Sequence, residues 1–244
     1  MRRFHPAPDA QFRLVCFPHA GGSATFYFPV AQALAPGLDV LAVQYPGRQD
    51  RRAEKCLDDI YELADQVTEA LLPWTDRPLA LFGHSMGATV AYEVARNLER
   101  QGVAPLGLFA SGRRAPSCRR DEYVHQRDDE GLVAALKELS GTDAAVLGDE
   151  ELLRMVLPAV RGDYKAVETY RHREGARLGC PVTVLVGDSD PVTSLEEAAT
   201  WAEHTTGPCE VEVFADGGHF YLNSQAAEVL KVVERSVMTW APVH

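Results

Sequence analysis

Ser85 stands in Gly83-His84-Ser85-Met86-Gly87, between an apolar run (residues 79–82) and a helical pattern that starts at once with Ala88, Val90, Ala91, Val94, Ala95 and Leu98. Glycines two before and two after a serine let a strand turn into a helix where neighbouring backbone leaves no room for a Cβ. The serine is then exposed above the strand end, a place for a nucleophile. A serine hydroxyl attacks poorly unless a base takes its proton and a third group orients that base. On such an elbow the partners follow in the chain, first an acid and then a histidine. Two later strand patterns lead into suitable loops: residues 182–186 into Gly187-Asp188-Ser189-Asp190-Pro191, and residues 210–214 into Ala215-Asp216-Gly217-Gly218-His219-Phe220. The acid is therefore Asp188 or Asp190, and the base is His219. Asp190 is preferred because it lies farther out on its loop. Asp188, beside the strand end, suits capping of local backbone N–H groups.

Acyl transfer also needs donors for a developing oxyanion. One is the backbone N–H of Met86, at a helix N-terminus where the dipole helps. A second is expected from the loop after the first strand, Phe17-Pro18-His19-Ala20-Gly21-Gly22-Ser23, with Ala20 N–H the chosen donor. His19 precedes Ser85 and is expected to shape that loop; His84 is expected to pack and hydrogen-bond beneath the elbow. The histidines lack metal-ligand spacing, so no metal is implied. No Gly-x-Gly-x-x-Gly follows the first strand, so no nucleotide site is indicated.

These groups need a scaffold that delivers strand ends to one edge. Strand patterns cover residues 13–17, 40–44, 79–82, 106–110, 182–186 and 210–214. Most are apolar throughout, as a parallel strand buried on both faces requires. The last alternates and belongs nearer a sheet edge. Helical patterns cover residues 26–35, 57–72, 86–101, 195–204 and 224–239, with Ser194 and Glu197 forming a capping box. The alternation predicts an α/β fold, a doubly wound parallel sheet with helices on both faces. From about 113 to 173 the rhythm breaks into helical patterns alone (130–139, 150–155, 158–170). Inserted after a strand's C-terminal end, this stretch is expected to cover the site as a helical lid within one domain, residues 1–244.

The chain has 244 residues, 46% hydrophobic and 24% charged, with a net charge of −11. That balance argues against general binding to nucleic acid or to an anionic membrane. Five scattered cysteines with no Cys-x-x-Cys suit reduced thiols, with Cys16 and Cys180 expected in the core. No apolar stretch follows Arg2 and Arg3 at signal-peptide length, and none reaches the roughly 18 residues of a membrane span. The expected location is the cytoplasm, and nothing in the sequence forces an oligomer, so a monomer is expected.

With these residues in hand, the chain resembles the type II thioesterases that accompany polyketide synthases and non-ribosomal peptide synthetases. The resemblance runs through nearly the whole length. It rests on residues 17–23, on Gln44-Tyr45-Pro46-Gly47-Arg48, on Phe82 to Ala88 and on Ser111-Gly112-Arg113-Arg114-Ala115-Pro116. Further on it rests on Leu157 to Tyr164, Glu168-Thr169-Tyr170 and Gly217-Gly218-His219-Phe220. It implies an α/β-hydrolase fold, a triad of Ser85, Asp190 and His219, oxyanion amides at Ala20 and Met86, and a mobile helical lid. It also implies a substrate: acyl groups on the phosphopantetheine arm of acyl or peptidyl carrier proteins, removed without a cofactor of the enzyme's own. One departure is Asp121-Glu122-Tyr123, where many members carry Asp-Leu-Pro, so the shape of the lid's approach differs.

Arg113, Arg114, Arg119 and Arg120 crowd just past a strand end. Two readings stay open: they receive an acidic carrier protein or its phosphate, or they form a solvated loop with its own salt bridges. Leu136, Leu139, Val156, Leu157 and Val160 either line an acyl pocket or form a helix packing face. Two rival functions share the fold, a carboxylesterase or lipase for small esters and a non-catalytic receptor built on a hydrolase pocket.

Overall fold

The computed structural model describes residues 1–139 and 149–241; residues 140–148, inside the expected lid, lie outside the described residues, as do residues 242–244. Six strands form one parallel sheet: β1 (Phe12–Phe17), β2 (Leu38–Ala42), β3 (Leu79–His84), β4 (Gly107–Ser111), β5 (Val182–Gly187) and β6 (Cys209–Phe214), in the order β2-β1-β3-β4-β5-β6. The chain runs outward from β1 to β2, then returns to the other side of β1 as β3. The crevice at the carboxyl ends of β1 and β3 is thus the topological switch point, where parallel α/β sheets hold their ligands. Phe17 pairs with Gly83 there, so the loop after β1 and the serine turn after β3 start side by side.

The unbroken apolar strands follow from helices on both faces. Val15 and Phe17 of β1 join a core with α2 (Ile60–Leu71) and α3 (Met86–Arg100). Phe12, Leu14 and Cys16 point the other way, into a core that includes Ala31 and Leu34 of α1 (Phe28–Leu34). As expected from its alternation, β6 is an edge strand, with Val211 and Val213 exposed. Cys16 and Cys180 are buried.

Between β4 and β5, which are neighbours in the sheet, lie α4 (Asp129–Leu139) and α5 (Glu150–Thr169). The helical patterns 150–155 and 158–170 predict a break before Pro158, whereas the structure runs one helix through it. A proline inside a helix forfeits one backbone hydrogen bond. Here Leu153, Leu157 and Val160 span the proline and pack together against Leu132 and Leu136 of α4, so a single apolar stripe carries the helix past the defect. Two other expected helices are partly 3₁₀: residues 24–27 ahead of α1, and residues 200–204 after the short α6 (Leu195–Ala199). The Ser194–Glu197 capping box is formed at α6. The chain closes with α7 (Tyr221–Ser224) and α8 (Ala226–Trp240).

Candidate active site

Ser85 sits between β3 and α3 with φ +54° and ψ −121°, a left-handed conformation that an L-residue adopts only under strong local constraint. The constraint is the packing of Gly83 and Gly87. A Cβ on Gly83 would lie 2.2 Å from the Gly87 carbonyl oxygen, and one on Gly87 would lie 2.1 Å from that of Phe17. The Ser85 N–H donates to the Ser111 carbonyl at 2.8 Å, tying the turn to the end of β4.

His219 arrives from the loop after β6. Its Nε2 is 3.0 Å from Ser85 Oγ, and its Nδ1 is 2.9 Å from Asp190 Oδ2. Asp190 is buried on the loop after β5, where its other oxygen accepts the Val192 N–H at 2.9 Å. Asp188 is exposed and accepts the hydroxyl of its neighbour Ser189. The geometry therefore sets Asp190, not Asp188, against the histidine. With the imidazole proton on Nδ1, Nδ1–H donates to the carboxylate and the serine O–H donates to Nε2, the arrangement that lets imidazole take the serine proton.

His84 lies beneath them: its Nδ1 is 2.9 Å from Ser111 Oγ, which is 2.6 Å from the Tyr221 hydroxyl. Its ring is tilted against that of His219 at 5.0 Å. His19 packs edge-on against Phe26 and Phe220 in the loop after β1. Burial, then the nearby His219, hold His19 at about 3 and His84 well below the ordinary imidazole range. Burial holds His204 at about 4. Each of these rings takes a proton in the unfolded chain near pH 6.5 and resists it when native. Below that pH the unfolded state binds more protons, so stability falls as pH falls from about 6.5 towards about 4. Urea unfolding should accordingly show a lower midpoint at about pH 5 than at about pH 7, and equal midpoints would contradict it.

Ala20 lines the same cavity as Ser85 and His219. Among the described residues, no hydrogen bond occupies the Ala20 or Met86 N–H. The Gly21 N–H, by contrast, donates to Asp163 Oδ2 of α5 at 2.7 Å. Asp163 is also ion-paired to Arg48, from the loop after β2, and both side chains are buried. Arg48 donates further to the Pro46 carbonyl at 2.7 Å. One carboxylate on the covering helix thus fixes the loop that carries Ala20. Arg48 and Asp163 each fall within one of the motifs that carry the resemblance, and the sequence alone assigns them no task; the signal is a cation and a carboxylate split between two distant motifs. Removing one member of a buried pair leaves an uncompensated charge, worth about 3–5 kcal/mol. Asp163→Asn should therefore lower Tm by on the order of 10 °C in a thermal melt, and a shift of only a degree or two would refute the clamp.

The cavity over Ser85 measures about 420 Å³ and is roofed by Leu136 and Leu139 of α4 and by Tyr164 and Val167 of α5. Leu157 and Val160 pack between the helices instead, and Val156 does not reach the cavity. Of the arginines, Arg114 pairs with Glu122, Arg119 with Asp121 and Arg120 with Glu197. Arg113 has no such partner among the described residues.

Sheet, elbow and covering helices together define a serine hydrolase of the α/β-hydrolase class. Residues 12–237 match the family model described as thioesterase domain. The chain is 56% identical over 231 residues to thioesterase PikA5 of Streptomyces venezuelae, covering 94% of this chain and 82% of that one. It is 58% identical over 222 residues to a probable cadicidin biosynthesis thioesterase of Streptomyces griseus, covering 91% of this chain but only 61% of the relative's length. The solved structure of the type II thioesterase BorB, from the borrelidin biosynthetic cluster, superposes with a TM-score of 0.91 at 55% identity, covering 97% of this chain and 96% of that one. The chain belongs to the thioesterase family, among the type II thioesterases of polyketide and non-ribosomal peptide biosynthesis.

Proposed function

We propose that this thioesterase is an editing enzyme that hydrolyses acyl groups from the phosphopantetheine arm of acyl or peptidyl carrier proteins. The observation that carries the reading is the Asp190–His219–Ser85 chain opening into a cavity roofed by two helices. In this reading Ser85 Oγ attacks the thioester carbonyl as His219 Nε2 takes its proton. The oxyanion is held by the N–H groups of Ala20 and Met86, at the first turn of α3. Collapse of the tetrahedral intermediate breaks the C–S bond and releases the arm's thiolate. A thiolate leaves readily, and the departing sulfur takes the proton held by His219, which returns the imidazole to its neutral form. Water, giving its proton to His219, then cleaves the acyl-enzyme and frees the carboxylic acid and Ser85.

Every step moves a proton or an acyl group, so the reading calls for no cofactor. The stretch from about 113 to 173 acts as the lid of a single domain, with Leu136 and Leu139 facing the acyl chain. The enzyme works as a monomer in the cytoplasm beside its synthase, with a carrier protein as its partner; no helix among the described residues is long and apolar enough to cross a membrane.

The test is to mix the purified protein with acetyl- and longer acyl-loaded carrier protein and follow deacylation by intact mass, beside a p-nitrophenyl ester of the same acid. Preference for the carrier thioester supports the reading. Strong preference for the ester makes the protein a small-ester hydrolase, and inertness towards both makes it a receptor.

A further inference from the structure

The surface of the cavity over Ser85 is mostly apolar. In such a pocket the few polar groups that the protein leaves unpaired decide orientation and specificity. Most of the carboxylates here are already engaged. Glu168 accepts the Val124 and His125 N–H groups at 2.9 and 3.1 Å, and Glu122 is held by Arg114.

Tyr164 is different. It follows Asp163 on α5, and its ring packs against the cluster of Leu132, Leu136, Leu157 and Val160 that joins the two covering helices. The residue also lines the cavity. The charged groups that act on its hydroxyl are Glu168, Glu122, Arg127 and Asp163, and the first three line the same cavity. The hydroxyl is therefore on the cavity side of the ring. Asp163 is taken up by Arg48 and the Gly21 N–H, so no nearby carboxylate is left for it. Among the described residues the Tyr164 hydroxyl makes no hydrogen bond. Burial, then Glu168 and Glu122, push it up to about 12, so it keeps its proton near neutral pH. A buried tyrosine hydroxyl normally has a partner, and this one faces the space that an acyl group would fill.

We infer that Tyr164 selects acyl groups bearing an acceptor oxygen, an oxo or hydroxyl group on the chain, by donating its O–H to that oxygen. This rests on the carrier-thioester reading above and narrows its substrate class. The carbons of the chain lie against Leu136, Leu139 and Val167, while the oxygen meets the hydroxyl. A saturated chain strips water from the same hydroxyl and returns no hydrogen bond, which is the physical source of discrimination. Arg127, exposed on the same wall and without an ion pair among the described residues, brings a second donor and no competing acceptor.

The experiment compares kcat/KM of wild type and Tyr164→Phe on N-acetylcysteamine thioesters of hexanoic, 3-hydroxyhexanoic and 5-oxohexanoic acids. Phenylalanine keeps the ring that packs between the helices and removes only the donor. A neutral hydrogen bond is worth about 3- to 10-fold. The ratio of an oxygenated thioester to the hexanoyl thioester should fall by that factor in Tyr164→Phe, through KM. Comparing ratios cancels the oxygen's effect on intrinsic reactivity and any general loss from repacking. Unchanged ratios for both oxygenated substrates, or equal losses on all three, would overturn the inference. Wild-type turnover of loaded carrier protein, measured in the same series, tests the function itself. Inertness there removes the carrier reading and this inference with it, whereas good turnover with unchanged ratios removes the role of Tyr164 alone.

Discussion

Ser85→Ala should slow deacylation of a loaded carrier protein by about 10⁴- to 10⁶-fold, with the loss in kcat and little change in KM. The size follows from what the hydroxyl alone supplies. The cavity, its roof and the free N–H groups of Ala20 and Met86 stay when one oxygen is removed. Binding and oxyanion stabilisation therefore persist, while covalent attack is lost. What remains is direct attack by water, for which His219 Nε2 is placed 3.0 Å from an oxygen that no longer exists. The strained turn at Ser85, with φ +54°, is imposed by Gly83 and Gly87 and not by the hydroxyl, so alanine keeps the backbone. Folding and Tm should consequently match wild type, which separates chemistry from collapse. Intact mass adds a direct reading: wild type mixed with a slow acyl donor gains the mass of the acyl group, and the variant does not. Retention of a tenth of wild-type activity would remove Ser85 as nucleophile.

Much of this site was readable in the sequence because each part is encoded locally. The elbow is five consecutive residues whose glycines have one steric purpose, and the strands of both later loops show as an apolar run and an alternating one. His219 follows from chain order once Ser85 is placed, and Asp190 from chain order together with its place farther out on the loop than Asp188; the two loops meet because β5 and β6 are adjacent, with Gly187 paired to Phe214. The fold was legible for the same reason: six strand patterns, most of them apolar throughout and alternating with helices, admit little besides a parallel sheet. What escaped is non-local. Arg48 and Asp163 pair across 115 positions, and neither residue's neighbours reveal its partner. Among the arginines, the fate of Arg120 likewise depends on Glu197, 77 positions further along the chain. Pro158 misled because a breaker rule based on one residue cannot weigh the stripe from Leu153 to Val160, which needs α4 in place to count.

Asp190→Asn should lower kcat by about 10⁴-fold near neutral pH, while Asp188→Asn changes it by less than about threefold. The two aspartates are two residues apart, and the contrast comes from their contacts. Asp190 is buried, with Oδ2 on His219 Nδ1 and Oδ1 on the Val192 N–H. An asparagine of the same shape keeps its carbonyl oxygen on Val192, because its NH₂ cannot accept that N–H. The NH₂ then faces His219 and donates to Nδ1, which forces the imidazole proton onto Nε2. An Nε2–H cannot take the Ser85 proton, so the ring remains in place but in the wrong tautomer. The loss therefore falls on kcat, with KM and Tm near wild type, and alanine at the same position would blur this result by adding a cavity. Asp188 is exposed and bonds only Ser189 among the described side chains, so its change leaves the imidazole untouched. A pH–rate profile sharpens the comparison. As pH rises, hydroxide-dependent attack offers the Asp190→Asn enzyme a route that needs no imidazole base, so its rate should climb where the wild type has levelled off. If Asp188→Asn proved the damaging change instead, the carboxylate that orients His219 in solution would be the exposed one.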